Sequence, residues 1–177
     1  MPEKGALHEF NDSASISTYL YGMDAGPFSY VKNDQEFKVP IAIGIRKSKL
    51  KYIDPREFFR LLEAAILFYE DFFGTPFPWE KYDNIFVPEF RIRGMENVGM
   101  INMTDKYFRP KIELTELSRF EYLKVVVHEL AHMWFGNLVT MKWWNDLWLK
   151  ESFADYCAGV CLTALASKFK KVIKNPE

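Results

Sequence analysis

Cysteine is almost absent from this 177-residue sequence; only Cys157 and Cys161 occur. A small secreted scaffold stapled by a disulfide framework is therefore excluded. The two cysteines are four apart in a stretch that reads as helix, where free thiols behave as small buried hydrophobes. A disulfide or a second metal site at this pair is the alternative. Long hydrophobic runs are missing too. No stretch approaches the roughly 18–20 apolar residues that a membrane-crossing helix needs. The opening, Met1-Pro2-Glu3-Lys4, is charged and leads into no apolar signal segment. Charge of one sign is also lacking. Lys and Arg number 23, Asp and Glu 24, for a net charge of −1. That balance offers no footprint for nucleic acid or an anionic membrane. These absences lead us to expect a soluble, cytoplasmic protein with no nucleic-acid partner and no membrane contact evident in this segment.

Apolar residues make up 49% of the chain and aromatics 17%, enough to build a packed core rather than a disordered coil. Residues 1–47 have a β-rich pattern. Ile16 to Leu20, Ser29 to Val31 and Val39 to Ile45 carry β-branched and aromatic character, separated by turn signals at Gly26-Pro27 and Asn33-Asp34. From residue 48 onward helices enter, so the fold class expected is α+β. Asp54 is placed to cap a helix with Pro55 at its first position. Leu61, Leu62, Ala65, Ile66 and Tyr69 form its buried stripe, and Gly74 ends it. Ile85 to Val87 and Val98 to Met103 read as strands. A further helix is expected from about Ser118 to Phe135, with Gly136-Asn137 as its stop. A Trp-rich loop and a last helix follow. The basic run from Lys168 to Lys174 reads as a solvated helix end.

Histidine is scarce, and that makes its placement informative. His8 stands alone in Leu-His-Glu-Phe, with no partner at metal spacing. The other two fall in His128-Glu129-Leu130-Ala131-His132. Four residues apart on a helix, His128 and His132 lie on one face. Polar residues here sit inside an apolar run, Val125, Val126 and Val127 before and Leu130 and Ala131 within. Burying them without partners would cost roughly 1–3 kcal/mol per group, and a metal removes that cost. Glu151, after an 18-residue spacer, adds a carboxylate. Two imidazoles and one carboxylate supply three protein ligands to a tetrahedral zinc and leave the fourth position open to water. Glu129, one step around the helix from His128, is placed to take a proton from that water. The chemistry implied is metal-assisted hydrolysis, with one Zn2+ per chain as cofactor.

The motif, its spacer and Glu151 resemble the zinc signature of the aminopeptidase N family of gluzincins. Upstream, Arg93-Gly94-Met95-Glu96-Asn97 is similar to that family's Gly-x-Met-Glu-Asn exopeptidase motif, with Arg93 where Gly is usual. Pro76-Phe77-Pro78, Val87-Pro88-Glu89-Phe90 and the stretch from Trp143 to Leu149 resemble it as well. The resemblance covers nearly the whole chain. It implies that residues 48–177 are a thermolysin-like zinc metallopeptidase catalytic domain, truncated on its C-terminal side. Residues 1–47 would then be the β-rich end of a preceding domain, with exposed strand edges.

The resemblance further implies a peptide substrate with a free N-terminus. Glu96 would hold the α-ammonium, while Met95 and Gly94 lie along the substrate and Asn97 orders the turn. The Glu-x-x-x-Asp spacing puts Asp155 beside Glu151 on its helix, similar to the carboxylate that supports a zinc-bound histidine in thermolysin-like enzymes. Lys150 and Ser152, flanking Glu151, depart from the Asn and Gly common in the family and are placed to tune the ligand's surroundings. Trp143, Trp144 and Trp148 are expected to serve core and loop packing, with a substrate-lining role for one of them as the alternative. The family's oxyanion-stabilising tyrosine lies farther past the glutamate ligand than Glu177, so low activity is expected of this chain alone. The readings left open are an inactive zinc-binding fragment and a leukotriene-hydrolase-like relative.

Overall fold

The computed structural model of the chain describes residues 7, 9–110, 113 and 115–166. The architecture is mixed α+β. Five strands form one sheet: β1 (Phe28–Lys32), β2 (Ile41–Arg46), β3 (Tyr82–Val87), β4 (Gly94–Met95) and β5 (Met100–Thr104), in the order β1-β2-β3-β5-β4. The outer pairs are antiparallel and the inner pairs, β2 with β3 and β3 with β5, are parallel. Parallel neighbours need a long crossover, and helix α1 (Pro55–Phe73) supplies it between β2 and β3. Five of the six residues in each of β2 and β3 are buried, as expected of strands covered on both faces.

Helix α1 starts where its cap chemistry dictates. The Asp54 carboxylate accepts from the backbone N–H groups of Arg56 and Glu57 at 3.0 and 3.2 Å, with Pro55 at the first helical position. Gly74, at φ +63°, closes the helix in the left-handed conformation that a Cβ disfavours. Leu61, Leu62, Ala65, Ile66 and Tyr69 are all buried, joined by Phe58 and Phe59. This face packs against helices α2 (Glu116–Ala131) and α3 (Leu147–Ala166).

Three long-range hydrogen bonds anchor the segment that carries His128 and His132. The Tyr69 hydroxyl donates to the Val127 carbonyl at 2.9 Å. The Trp79 indole donates to the Met133 carbonyl at 3.0 Å, and the Trp134 indole to the Thr75 carbonyl at 2.9 Å. The rings of Tyr69, Phe73, Phe77 and Trp134 pack together around these bonds at centroid distances of 5.5–5.8 Å.

Two segments differ from expectation. Ile16 to Leu20 is not a strand; Thr18–Leu20 forms a 3₁₀ turn. Its backbone is claimed by the loop after β4. The Leu20 carbonyl accepts from the Val98 N–H at 3.2 Å, and the Asn97 side chain donates to the carbonyls of Leu20 and Tyr21 at 3.3 and 3.0 Å. Helix α2 also stops at Ala131, short of Phe135. Beyond it the N–H groups of Met133 and Trp134 bond three residues back, to Leu130 and Ala131, so the helix tightens and ends.

The division expected between residues 47 and 48 falls in the connection after β2, and β2 pairs directly with β3 across it. Cys157 and Cys161 are buried and free. Burial pushes their thiols up to about 11 and about 12 respectively, which makes them poor nucleophiles. No helix among the described residues is long and apolar enough to cross a membrane. His8 and the run from Lys168 to Lys174 lie outside the described residues.

Candidate active site

Helix α2 begins at a reciprocal cap: the Thr115 hydroxyl accepts from the Ser118 N–H at 3.1 Å, and the Ser118 hydroxyl accepts from the Thr115 N–H at 3.0 Å. At its other end the helix delivers His128, Glu129 and His132. His132 is fully buried and stands as the C-cap, its N–H bonded to the His128 carbonyl at 3.2 Å. Its Nδ1 lies 3.0 Å from the Phe135 carbonyl. A carbonyl only accepts, so the proton belongs on Nδ1 and the Nε2 lone pair is free.

That lone pair faces two others. His128 Nε2 is 3.1 Å from His132 Nε2, and Glu151 Oε2, from α3, is 3.4 and 3.5 Å from the two nitrogens. Ligands about 2.0–2.1 Å from a tetrahedral ion stand roughly 3.3–3.4 Å apart. The three atoms thus have the spacing of one face of a coordination tetrahedron. Its contacts with the two histidines, helped by the ammonium of Lys150, hold the Glu151 carboxyl far below the usual carboxylate range, so it is available as an anion. The residues present fit a divalent cation.

Glu129 is 5% exposed and points into the same space. Burial, followed by the charges of Glu96 and Glu151, holds its carboxyl well above the usual range. The room for it is made by Gly94, whose lack of a Cβ lets the β4 backbone close against the Glu129 carboxylate. Gly94 is therefore needed for the approach of Glu129. Met95 follows at half burial.

Glu96 is 4% exposed. Its backbone carbonyl accepts from the buried Asn137 side chain at 2.8 Å, and its carboxylate is bonded to the Lys150 ammonium. Glu96, Glu129 and His132 also place one ligating atom each within 4.8 Å of one another. Lys150 is itself buried and lies 2.9 Å from Glu151 Oε1. Burial alone would lower its pKa, but the bonds to Glu96 and Glu151 outweigh this and raise it, keeping the ammonium charged.

These groups line one open cleft of about 590 Å³, a size suited to a small ligand or a few peptide residues. Tyr19 forms part of its wall, with its ring 5.2 Å from that of Trp144. None of the three tryptophans before and in the first turn of α3 is buried in the core. Trp143 and Trp144, before α3, and Trp148, in its first turn, are all more than half exposed. Trp144 lines the cleft instead.

Asp155 lies on the side of α3 that Glu151 occupies, as their spacing requires. Its carboxylate is 3.9 Å from His128 Nδ1, longer than a hydrogen bond, and 2.8 Å from the Lys124 ammonium. Tyr19, Asn137 and the pairing of Lys150 escaped the sequence reading. Only Lys150 left a signal: a lysine flanked by Leu149 and a metal ligand needs a carboxylate to be buried.

Two imidazoles and a carboxylate at tetrahedral spacing, with a second buried carboxylate beside them and an open cleft in front, form a group that could hold a metal ion. The model of the peptidase family M1 domain matches residues 59–175, and the chain belongs to that family. It is 39% identical over 167 residues to aminopeptidase N of Streptomyces lividans, covering 91% of this chain and 19% of that protein. It is 39% identical over 148 residues to tricorn protease-interacting factor F2 of Thermoplasma acidophilum, covering 84% and 18%. It is 36% identical over 159 residues to leucyl aminopeptidase of Saccharolobus solfataricus, covering 90% and 20%. The chain thus spans a fifth or less of the length of these relatives.

Proposed function

We propose that this chain carries the metal-binding core of a zinc-dependent aminopeptidase, built on a thermolysin-like catalytic domain, that removes N-terminal residues from peptides. The observation that carries the reading is the triangle of His128 Nε2, His132 Nε2 and Glu151 Oε2 with edges of 3.1–3.5 Å, opening onto a cleft that also holds Glu129 and Glu96. Those three side chains would hold the zinc. Zinc bound there supplies Lewis acidity to a scissile carbonyl and to water.

The chain's own residues do the rest. Glu129, with its raised pKa, accepts a proton from the attacking water and returns it to the leaving amine. Glu96 takes the α-ammonium of the substrate and so sets the distance from the N-terminus to the cut bond. Met95 and Gly94 border the peptide along β4. Asp155 steadies His128 from behind, by way of its Nδ1 face. The family match, and the names of the similar aminopeptidases, support the activity and the substrate class.

The test is hydrolysis of an aminoacyl naphthylamide by zinc-loaded protein, beside its N-acetylated form. Cleavage of the free amine and loss of most turnover on acetylation is expected. Internal cleavage of blocked and free peptides at equal rates would replace this reading with that of an endopeptidase.

A further inference from the structure

Lys150 has no part in the chemistry above, yet it is buried in the site. Its side chain is 5% exposed. Three groups receive its ammonium: the Glu96 carboxylate, Glu151 Oε1 at 2.9 Å, and the face of the Tyr19 ring at 5.0 Å. Two carboxylates and an aromatic face are what a protein uses to bind a cationic amine. This pocket is therefore an ammonium site, and a side chain of the same molecule already fills it.

Glu96 is 6% exposed at its side chain, and that burial sharpens the consequence. A buried carboxylate is strongly attractive to a cation only while its charge is uncompensated. With Lys150 bonded to it, the pair is close to neutral. An incoming ammonium must share Glu96 with Lys150 or displace it, and in either case meets a like charge at short range.

We infer that Lys150 is a specificity-determining residue: its ammonium takes the place at Glu96 that a substrate α-ammonium would use, and so weakens the cleft's preference for ligands with a free N-terminal amine. The inference rests on the assignment of Glu96 as the amine-binding group. It predicts a cleft more tolerant of blocked or amine-free ligands than one with a neutral residue at position 150. Lys150 also touches Glu151, so its removal can alter zinc binding, and the test must separate the two effects.

The experiment compares leucine hydroxamate with N-acetyl-leucine hydroxamate, binding to the zinc-loaded chain by calorimetry. Both probes offer the same metal-chelating group. A change in metal affinity therefore cancels in the ratio of their dissociation constants, and the ratio reports amine recognition alone. Lys150→Met and Lys150→Gln, which remove the charge and shorten the side chain by one atom, are expected to raise the preference for the free amine at least about tenfold, the effect of roughly 1.4 kcal/mol. Adding Glu96→Gln to Lys150→Met should remove the gain. A ratio within twofold of wild type in both Lys150 variants, while Glu96→Gln alone abolishes a wild-type preference, would overturn the role of Lys150 and leave Glu96 as the amine reader. No discrimination in any variant would overturn the Glu96 assignment and this inference with it.

Discussion

A Cβ built on Gly94 would overlap Glu129 Oε1 and stand 2.5 Å from its Cδ. The backbone of β4 and the buried carboxylate of α2 thus fit only because residue 94 has no side chain. Gly94→Ala should push Glu129 out of line with the metal ligands. Overpacking of this kind costs typically 1–3 kcal/mol, and the displaced group is the proposed base. The expected result is a lower urea midpoint and loss of hydrolysis with zinc stoichiometry unchanged. A variant as stable and active as the parent would show that the strand yields instead.

Zinc should bind at about one equivalent per chain. Metal analysis after reloading checks this, and His132→Ala should abolish tight binding. A ligand that binds only the folded state at a hundred times its Kd stabilises by about 2.7 kcal/mol. Chelation should therefore lower the melting temperature visibly, and it should do nothing to the His132→Ala variant.

Glu129→Gln should keep the metal and lose hydrolysis, since it removes a base and not a ligand. In the metal-free chain it should also raise stability near neutral pH. The Glu129 carboxyl sits well above its usual pKa through burial and the charges of Glu96 and Glu151, so the folded chain holds a proton that the unfolded chain has released. The stability tied to that proton is full below the ordinary carboxylate range and is lost as pH rises through the folded-state value. The glutamine variant lacks this loss. A melting temperature higher by at least about 2–4 °C, the shift that 1 kcal/mol makes in a domain of this size, is expected, with a flatter pH profile above about pH 5.

Asp155→Ala should weaken zinc binding by about tenfold, at the low end for residues that support a ligand, because the 3.9 Å gap to His128 leaves the contact indirect. Competition with a zinc chelator measures this. Affinity within twofold of the parent would show that Asp155 serves Lys124 alone.

The metal triangle was legible because its parts are local in sequence: a four-residue helical spacing and one carboxylate on the next helix. The cap of α1 at Asp54 was legible for the same reason. What escaped was set by distant partners. Lys150 meets Glu96 through a pairing of residues 54 apart, and Asn137 reaches the Glu96 carbonyl across 41. The early end of α2 has in part a similar cause, since the Trp134 indole turns to the Thr75 carbonyl, 59 residues away. The exposure of Trp143, Trp144 and Trp148 depends on what packs over the start of α3 and the loop before it, which residue type alone does not encode.

Tyr19, in the 3₁₀ turn held by Asn97, has a consequence for the order in which the molecule assembles. Its contacts with Trp144 and Lys150 join the early part of the chain to α3 and the loop before it. Pairings this distant in sequence carry the largest closure entropy and form slowly. The two histidines, by contrast, come together as soon as one helical turn forms. Assembly of the site is accordingly expected in stages, with the two imidazoles brought together early and the wall formed by Tyr19 closing last.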